Sequence, residues 1–105
     1  MNFNSGTILL DAIVLSLVSA EDSYGYKITQ GVRKVLDVSE STLYPVLRRL
    51  QKEDYLETYD LAFDGRNRRY YKITEKGRIL LESYKNGWKE YRNKIDSILT
   101  GGSYE

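Results

Sequence analysis

The segment from Val38 to Leu50 constrains the fold of this chain more than any other part of the sequence. Its apolar residues recur every three or four positions, the spacing of one buried helix face: Leu43, Val46, Leu47 and Leu50. Hydroxyl residues at its start can cap a helix, so the pattern predicts a helix from about Ser39 to Glu53. Pro45 lacks an N–H group and is expected to kink or delay the first turns.

The opposite face of this predicted third helix carries short hydrogen-bonding groups and guanidinium groups. Its members are Ser41, Thr42, Tyr44, Pro45, Arg48 and Arg49. Such side chains meet the base edges and phosphates of DNA, and the first turns of a recognition helix reach the bases. The predicted DNA-binding residues of this helix are therefore Ser39, Ser41, Thr42, Tyr44, Pro45 and Arg48. An ordinary amphipathic helix with a solvated polar face is the alternative interpretation.

A basic hairpin is predicted about fifteen residues downstream. The first strand is predicted over Tyr55–Phe63 and the returning strand over Arg68–Ile73. The turn between them is predicted over Asp64–Asn67, where the Asp-Gly pair is a strong hairpin signal. A polar helix followed by a basic hairpin predicts a winged helix-turn-helix. The expected fold class is thus mainly α with a small β-hairpin, extended by a long C-terminal helix.

The hairpin supplies a second set of candidate DNA contacts. The residues predicted to bind phosphates or to enter the minor groove are Arg66, Asn67, Arg68 and Arg69. The alternative is a solvated hairpin that its charge keeps soluble. Strand alternation places Arg69 and Tyr71 on the face opposite Tyr70 and Lys72, without deciding which pair faces DNA.

Two further helices are predicted before the third. The first, capped by Ser5 or Thr7 and running to about Val18, is apolar nearly all round, so we expect one side to face a second protomer. Residues 1–4 are expected to be frayed. The second helix is predicted from Tyr24 to about Leu36, with Ser23 as its cap and an inward face of Ile28, Val32, Val35 and Leu36. Tyr24 and Lys27, at its start, have two interpretations of equal weight. In the first they contact DNA phosphates; in the second the Tyr24 ring packs within the protein and Lys27 is solvated.

The last helix is predicted from Glu75 to about Leu99, with Thr74 as its cap and Gly101-Gly102 at its end. It carries a heptad stripe, Tyr84, Trp88, Tyr91, Ile95 and Ile98, which is typical of helices that pack lengthwise. The predicted dimer interface joins this stripe to Ile8, Leu9, Ala12 and Ile13 of the first helix. Residues 1–74 are then the DNA-binding domain, with helix 5–18 also at the interface, and residues 75–100 the dimerisation helix.

Composition excludes several classes of function. In 105 residues, sixteen basic and fifteen acidic side chains leave a net charge of +1, so the local basic cluster matters more than the total. There is no cysteine or histidine, and no nucleophile motif, P-loop or metal-ligand spacing. We expect no enzymatic activity, no cofactor and no metal. The apolar run from Ile8 to Val18 is too short to span a bilayer, which favours a cytoplasmic protein.

Three segments together carry a specific resemblance: Tyr24–Ile28, Thr42–Leu50 and Gly65–Gly77. In them this chain closely resembles the PadR family of bacterial transcription regulators, in its short form with one C-terminal helix, over residues 8 to about 98. The resemblance implies a homodimeric winged-helix repressor that binds an inverted-repeat operator in double-stranded DNA. It also implies that the third helix reads DNA and that the hairpin is the wing.

Trp88 has two interpretations. A lone tryptophan in a heptad stripe is usually an interface residue, but flat rings at a two-fold interface can also flank a flat aromatic ligand, here with Tyr84 as a second contact. In some members of the resembled subfamily, a tryptophan of the last helix lines a pore that takes flat hydrophobic drugs. Trp88 matches that tryptophan by its position in the helix. The match does not identify the inducer.

Two classes of function fit the sequence. The first is a sequence-specific DNA-binding repressor released by a small hydrophobic ligand. The second is a winged-helix module for protein–protein interaction, which the near-neutral net charge permits. Residues 66 to 72 include four basic side chains and no acidic one, and this favours the first class.

Overall fold

The helices and strands of this protein follow one another in the order of a winged helix-turn-helix with one added helix. The structure, a computed structural model, describes residues 6–101. Within that range the elements are α1 (Gly6–Ala20), β1 (Ser23–Tyr24), α2 (Gly25–Arg33), α3 (Glu40–Lys52), β2 (Leu56–Phe63), β3 (Arg66–Ile73) and α4 (Glu75–Leu99). The predicted fold class is confirmed, although the sheet has three antiparallel strands in the order β1-β3-β2.

The core lies between α1, α2, α3 and the inner face of the sheet. Its most deeply buried large side chains include Leu15, Ile28, Leu43, Leu47, Leu50 and Leu56. The apolar face that the spacing predicted for the third helix is buried throughout, which fixes the rotation of α3 about its axis. Truncating one of these leucines to alanine is expected to cost about 2–5 kcal/mol of stability.

The first helix is confirmed and extends to Ala20. Because α1 begins at Gly6, Thr7 lies inside it, while Ser5, the other predicted cap, and residues 1–4 lie outside the described residues. No helix within residues 6–101 is both long and apolar enough to cross a membrane.

The second helix differs from its prediction at both ends. Ser23 is not its cap, because Ser23 and Tyr24 form β1 and pair with Tyr71 and Tyr70 of β3. A strand of two residues is too short to show any periodicity in the sequence. The helix ends at Arg33 rather than near Leu36.

The predicted inward face of the second helix was also wrong at one position. Val35 lies beyond the end of the helix and is 66% exposed. Leu36 packs against the core only in part. Since residues 34–39 leave the helical path, the three- and four-residue spacing no longer determines which side chains point inward.

The hairpin turn is shorter than predicted. Asp64 and Gly65 have φ angles of 51° and 74°, and they form a two-residue turn whose positive φ values match the twist of the flanking strands. Arg66 and Asn67, which the sequence placed in the turn, therefore belong to β3 and lie opposite Phe63 and Ala62.

The start of α4 confirms its predicted cap. The Thr74 hydroxyl accepts a hydrogen bond of 3.0 Å from the Gly77 N–H and donates one of 2.6 Å to the Asp54 carbonyl oxygen. Gly77 allows close approach here, since a Cβ at this position would overlap the carbonyl oxygen of Tyr55. The helix runs to Leu99, and Gly102 lies outside the described residues.

Candidate nucleic-acid interface

A cluster of exposed hydroxyl groups lies at the start of α3. Ser39 occupies the N-cap, and its hydroxyl accepts a hydrogen bond of 3.3 Å from the Thr42 N–H. The same oxygen lies 2.8 Å from the Ser41 hydroxyl and 3.2 Å from the Thr42 hydroxyl. Such hydroxyls both donate and accept hydrogen bonds, so this end of the helix is suited to polar base edges.

The next turn of α3 exposes a second group of predicted contacts. Pro45 and Arg48 are exposed, whereas Tyr44 is half-buried. The Tyr44 ring packs against the start of α2 so closely that a Cβ on Gly25 would lie 2.8 Å from a ring carbon. The helix runs through Pro45 without interruption. Because its ring packs against α2, the phenol group of Tyr44 is held in one place.

The structure decides which face of the wing lies beside α3. Tyr71 is buried on the inner face of the sheet, and strand alternation places Arg69 and Asn67 on that same face nearer the turn. Burial raises the pKa of Tyr71, and the nearby charges of Arg69 and Arg48 act in the opposite direction. The charges of Arg48 in α3 and Arg69 in β3 therefore both act on one buried tyrosine.

The polar side chains of the inner face near the turn are accessible. Asn67 and Arg69 are exposed, and Arg69 makes a long ion pair of 3.4 Å with Asp60 of the neighbouring strand. Both partners of this pair are largely exposed, so it contributes little to stability and leaves Arg69 available to a competing phosphate. Arg66, beside the turn on the outer face, is also exposed.

The outer face of the sheet is aromatic. Tyr70 stacks on Tyr59 with ring centroids 5.6 Å apart, and it meets Tyr24 edge to face at the same distance. The guanidinium carbon of Arg68 lies 4.0 Å from the ring centroid of Tyr24 and 3.8 Å from that of Phe63. Arg68 thus lies on a different face of the wing from Arg69.

The two candidates at the start of the second helix are engaged within the chain. Tyr24 is the N-cap residue of α2 and contacts Arg68, although its side chain does not cap the helix. Lys27 forms an exposed ion pair of 2.6 Å with Glu21, and this contact raises the pKa of Lys27. A DNA phosphate would have to compete with Glu21 for Lys27.

The model of the transcriptional regulator PadR-like family matches residues 14–83, which reach from α1 into α4 and include α2, α3 and the β2–β3 hairpin. This chain belongs to the PadR-like family.

Individual proteins are also similar to this chain. A Streptococcus mutans protein of known crystal structure is 37% identical, with a TM-score of 0.87 over 100% of this chain and 99% of that chain. A transcriptional regulator from Mycobacterium tuberculosis is 31% identical over 83 residues, covering 78% of this chain and 78% of the relative. PadR of Bacillus subtilis, in complex with operator DNA, is 21% identical with a TM-score of 0.67, covering 72% of this chain and 46% of that chain, and shows the shared fold alone.

The PadR-like chain also has an apolar groove between α1 and α4, of about 320 Å³. Its lining residues are Leu9, Ala12, Ile13, Ser16, Val35, Leu81, Tyr84, Lys85 and Trp88. Trp88 is 39% exposed and lies 6.0 Å from the Tyr91 ring, whereas Tyr84 is buried within its own protomer. Further along α4, Ile95 is half-buried and Ile98 is 76% exposed.

One polar contact of this PadR-like chain was missed by sequence reasoning. Arg49, which the sequence placed on the polar face of the third helix, turns to α1 and donates a hydrogen bond of 2.6 Å to Asp11. The sequence carried a signal for this contact, because Asp11 is the one charged residue among the first twenty. A charge inside an apolar helix implies a partner of opposite sign.

Proposed function

We propose that this protein is a homodimeric transcriptional repressor that binds an inverted-repeat operator through α3 and the wing. The observation that carries the proposal is that α3 packs on the inner face of the sheet through Gln51 and Thr58, and that the same face carries the exposed Asn67 and Arg69 nearer the turn. It brings the exposed face of α3 and the inner face of the wing together into one polar and basic surface. A helix that enters the major groove with a basic hairpin beside it fits that surface.

The two parts of this surface would contact different parts of the DNA. The hydroxyl cluster of Ser39, Ser41 and Thr42, followed by Tyr44 and Pro45, lies where the helix start reaches base edges. Arg48, Arg66, Asn67 and Arg69 are exposed and suit phosphate or minor-groove contacts. Tyr24 and Lys27 lie at the start of α2, where a helix amino terminus favours an anion.

The second copy would cover the apolar surface of α1 and α4. Leu9, Ala12 and Ile13 line one groove with Trp88, and the exposed Ile98 extends the apolar stripe beyond it. The proposed interface comprises Ile8, Leu9, Ala12, Ile13, Trp88, Tyr91, Ile95 and Ile98, with the buried Tyr84 supporting it from within the protomer. This division makes residues 1–74 the DNA-binding domain and residues 75–100 the dimerisation helix.

The groove also suggests how the protein would be released from DNA. Its volume falls within the range of small-molecule sites, and its lining is almost wholly apolar with Trp88 at one side. A flat hydrophobic compound between Trp88 and its symmetry mate would induce transcription if it favoured one spacing of the two α3 helices. Such a regulator would act in the cytoplasm.

The test is binding of the purified protein to the DNA upstream of its own gene, with salt titrated. We expect binding to this DNA to be stronger than to a random duplex of equal length. The logarithm of the binding constant should fall linearly with the logarithm of salt concentration. Equal binding to both duplexes would contradict the proposal and favour the alternative, a winged-helix module for protein–protein contact.

A further inference from the structure

The outer part of the wing extends from the domain as two strands. β1 pairs with β3 at Ser23–Tyr71 and Tyr24–Tyr70, and the hairpin continues beyond that point to the turn at Asp64 and Gly65. A two-stranded ribbon is marginally stable by itself and twists readily. The angle of the wing therefore depends on side-chain contacts between its outer part and the domain.

Arg68 makes such a contact. Its side chain lies on the central strand, between Phe63 at the end of β2 and Tyr24 at the start of α2. Each guanidinium–ring contact is an electrostatic attraction between the cation and the ring face, and it strengthens where water is excluded. Arg68 is half-buried, whereas its neighbours Asn67 and Arg69 are exposed.

The contact continues into the body of the domain. Tyr24 meets Tyr70 edge to face, Tyr70 stacks on Tyr59, and the Tyr59 hydroxyl donates a hydrogen bond of 2.7 Å to Asp22. Asp22 lies in the turn between α1 and β1. A connected set of rings and one cation thus runs from the wing tip to the α1–β1 turn.

We propose that Arg68 is a positioning residue, which holds the wing at a defined angle to α2 and α3 by bridging Phe63 and Tyr24, and that it does not act as a phosphate contact. The sequence assigned Arg68 to the same role as Arg66 and Arg69. The structure separates Arg68 from Arg69: Arg69 lies on the inner face with Tyr71, and Arg68 lies among the rings of the outer face. The consequence for DNA rests on the proposed function, because a misaligned wing would cost affinity without any lost ion contact.

The first experiment needs no DNA. Amide hydrogen exchange of residues 61–68 is measured in wild type, Arg68→Met and Arg66→Met. Methionine keeps the flexible stem and removes the cation, and Arg66 is an exposed arginine on the same hairpin. We expect Arg68→Met to speed exchange roughly three- to tenfold in this segment and Arg66→Met to leave it unchanged. Equal exchange in both variants would overturn the bridging role.

The second experiment measures the salt dependence of binding to the DNA upstream of the gene. We expect Arg68→Met and Phe63→Leu each to weaken binding roughly three- to tenfold with an unchanged salt slope, and their double variant to be no weaker than either alone. Arg66→Met should instead lower the slope by about one ion. A slope lowered in Arg68→Met, or losses that add in the double variant, would overturn the proposal. If wild type does not prefer this DNA, the proposed function fails, and hydrogen exchange still decides the bridging role.

Discussion

The guanidinium group of Arg49 in α3 donates a hydrogen bond of 2.6 Å to the carboxylate of Asp11 in α1. Asp11 is 4% exposed, and Arg49 also reaches Glu53 at 3.4 Å. Ala12, which follows Asp11, lines the α1–α4 groove, and Arg48, which precedes Arg49, belongs to the candidate DNA surface. This pair therefore joins the helix at the proposed dimer interface to the helix at the proposed DNA interface.

Asp11→Asn is expected to change how stability depends on pH. Burial raises the pKa of Asp11 above its ordinary 3.8, and the Arg49 contact opposes this only in part. The folded state then holds the Asp11 proton more tightly than the unfolded state. Its contribution to stability is fully present below pH 3.8 and is lost as the pH rises through the raised pKa.

The measurement is urea denaturation of wild type and Asp11→Asn from about pH 3 to about pH 7. Other carboxyl groups are common to both proteins, and the Asp11 contact raises the pKa of Arg49, so the guanidinium stays charged throughout. We expect the free energy of unfolding of wild type to fall relative to that of the variant as pH rises. A difference that stays constant or grows would show that burial does not raise this pKa.

Ile95→Asp should weaken the dimer. The substitution places a charge in the apolar stripe of α4, and we expect the dimer dissociation constant to rise at least about tenfold. Sedimentation equilibrium measures this directly, and Asn93→Asp adds the same charge at an exposed position of α4 outside the stripe as a control. A wild type that is monomeric at micromolar concentration, or equal effects of both substitutions, would place the stripe outside the interface.

Substitutions in α3 and in the wing should affect DNA binding differently. Tyr44→Phe keeps the ring that packs on Gly25 and removes its hydroxyl, so discrimination between operator and random DNA should fall by about 1–3 kcal/mol if a base contact is lost. Arg69→Gln should weaken binding to both duplexes alike and lower the salt slope by about one. Competition binding at several salt concentrations separates the two effects, and identical behaviour would reject the division of labour.

Planar hydrophobic compounds should quench the fluorescence of Trp88. It is the only tryptophan, so its emission reports the α1–α4 groove without a label. Stacked rings favour planar ligands and indole attracts cations, so planar cationic dyes are the first compounds to test. Calorimetry with Trp88→Ala, after sedimentation has verified the dimer, should show at least about tenfold weaker binding. If no compound quenches the emission, Trp88 serves the dimer interface alone.

Caps and local periodicity predicted much of the fold. Thr74 caps the helix that it was expected to cap, and one of the hydroxyl residues expected at the start of the third helix, Ser39, caps α3, because an N-cap bond joins residues only three positions apart. The apolar face of α3 follows from helix geometry for the same reason. The Asp-Gly pair likewise located the hairpin, although its turn proved to contain two residues.

The candidate DNA surface was predicted in its membership but not in its arrangement. Alternation showed that Arg69 and Tyr70 lie on opposite faces of β3, but it could not orient the strand relative to α3. That orientation depends on the burial of Tyr71 against the core and on the pairing of β3 with β1. The residues involved are far apart in the sequence.

By itself the sequence determined the helices, the hairpin and the polar character of α3, because each depends on residues within a few positions of one another. Tertiary structure alone decided that Arg49 turns to Asp11, that Arg68 lies between Phe63 and Tyr24, and that Arg69 lies beside Tyr71. These three arginines are alike in chemistry, and their roles differ because packing places each beside a different partner: the buried Asp11 carboxylate for Arg49, aromatic rings for Arg68, and the exposed Asp60 carboxylate for Arg69.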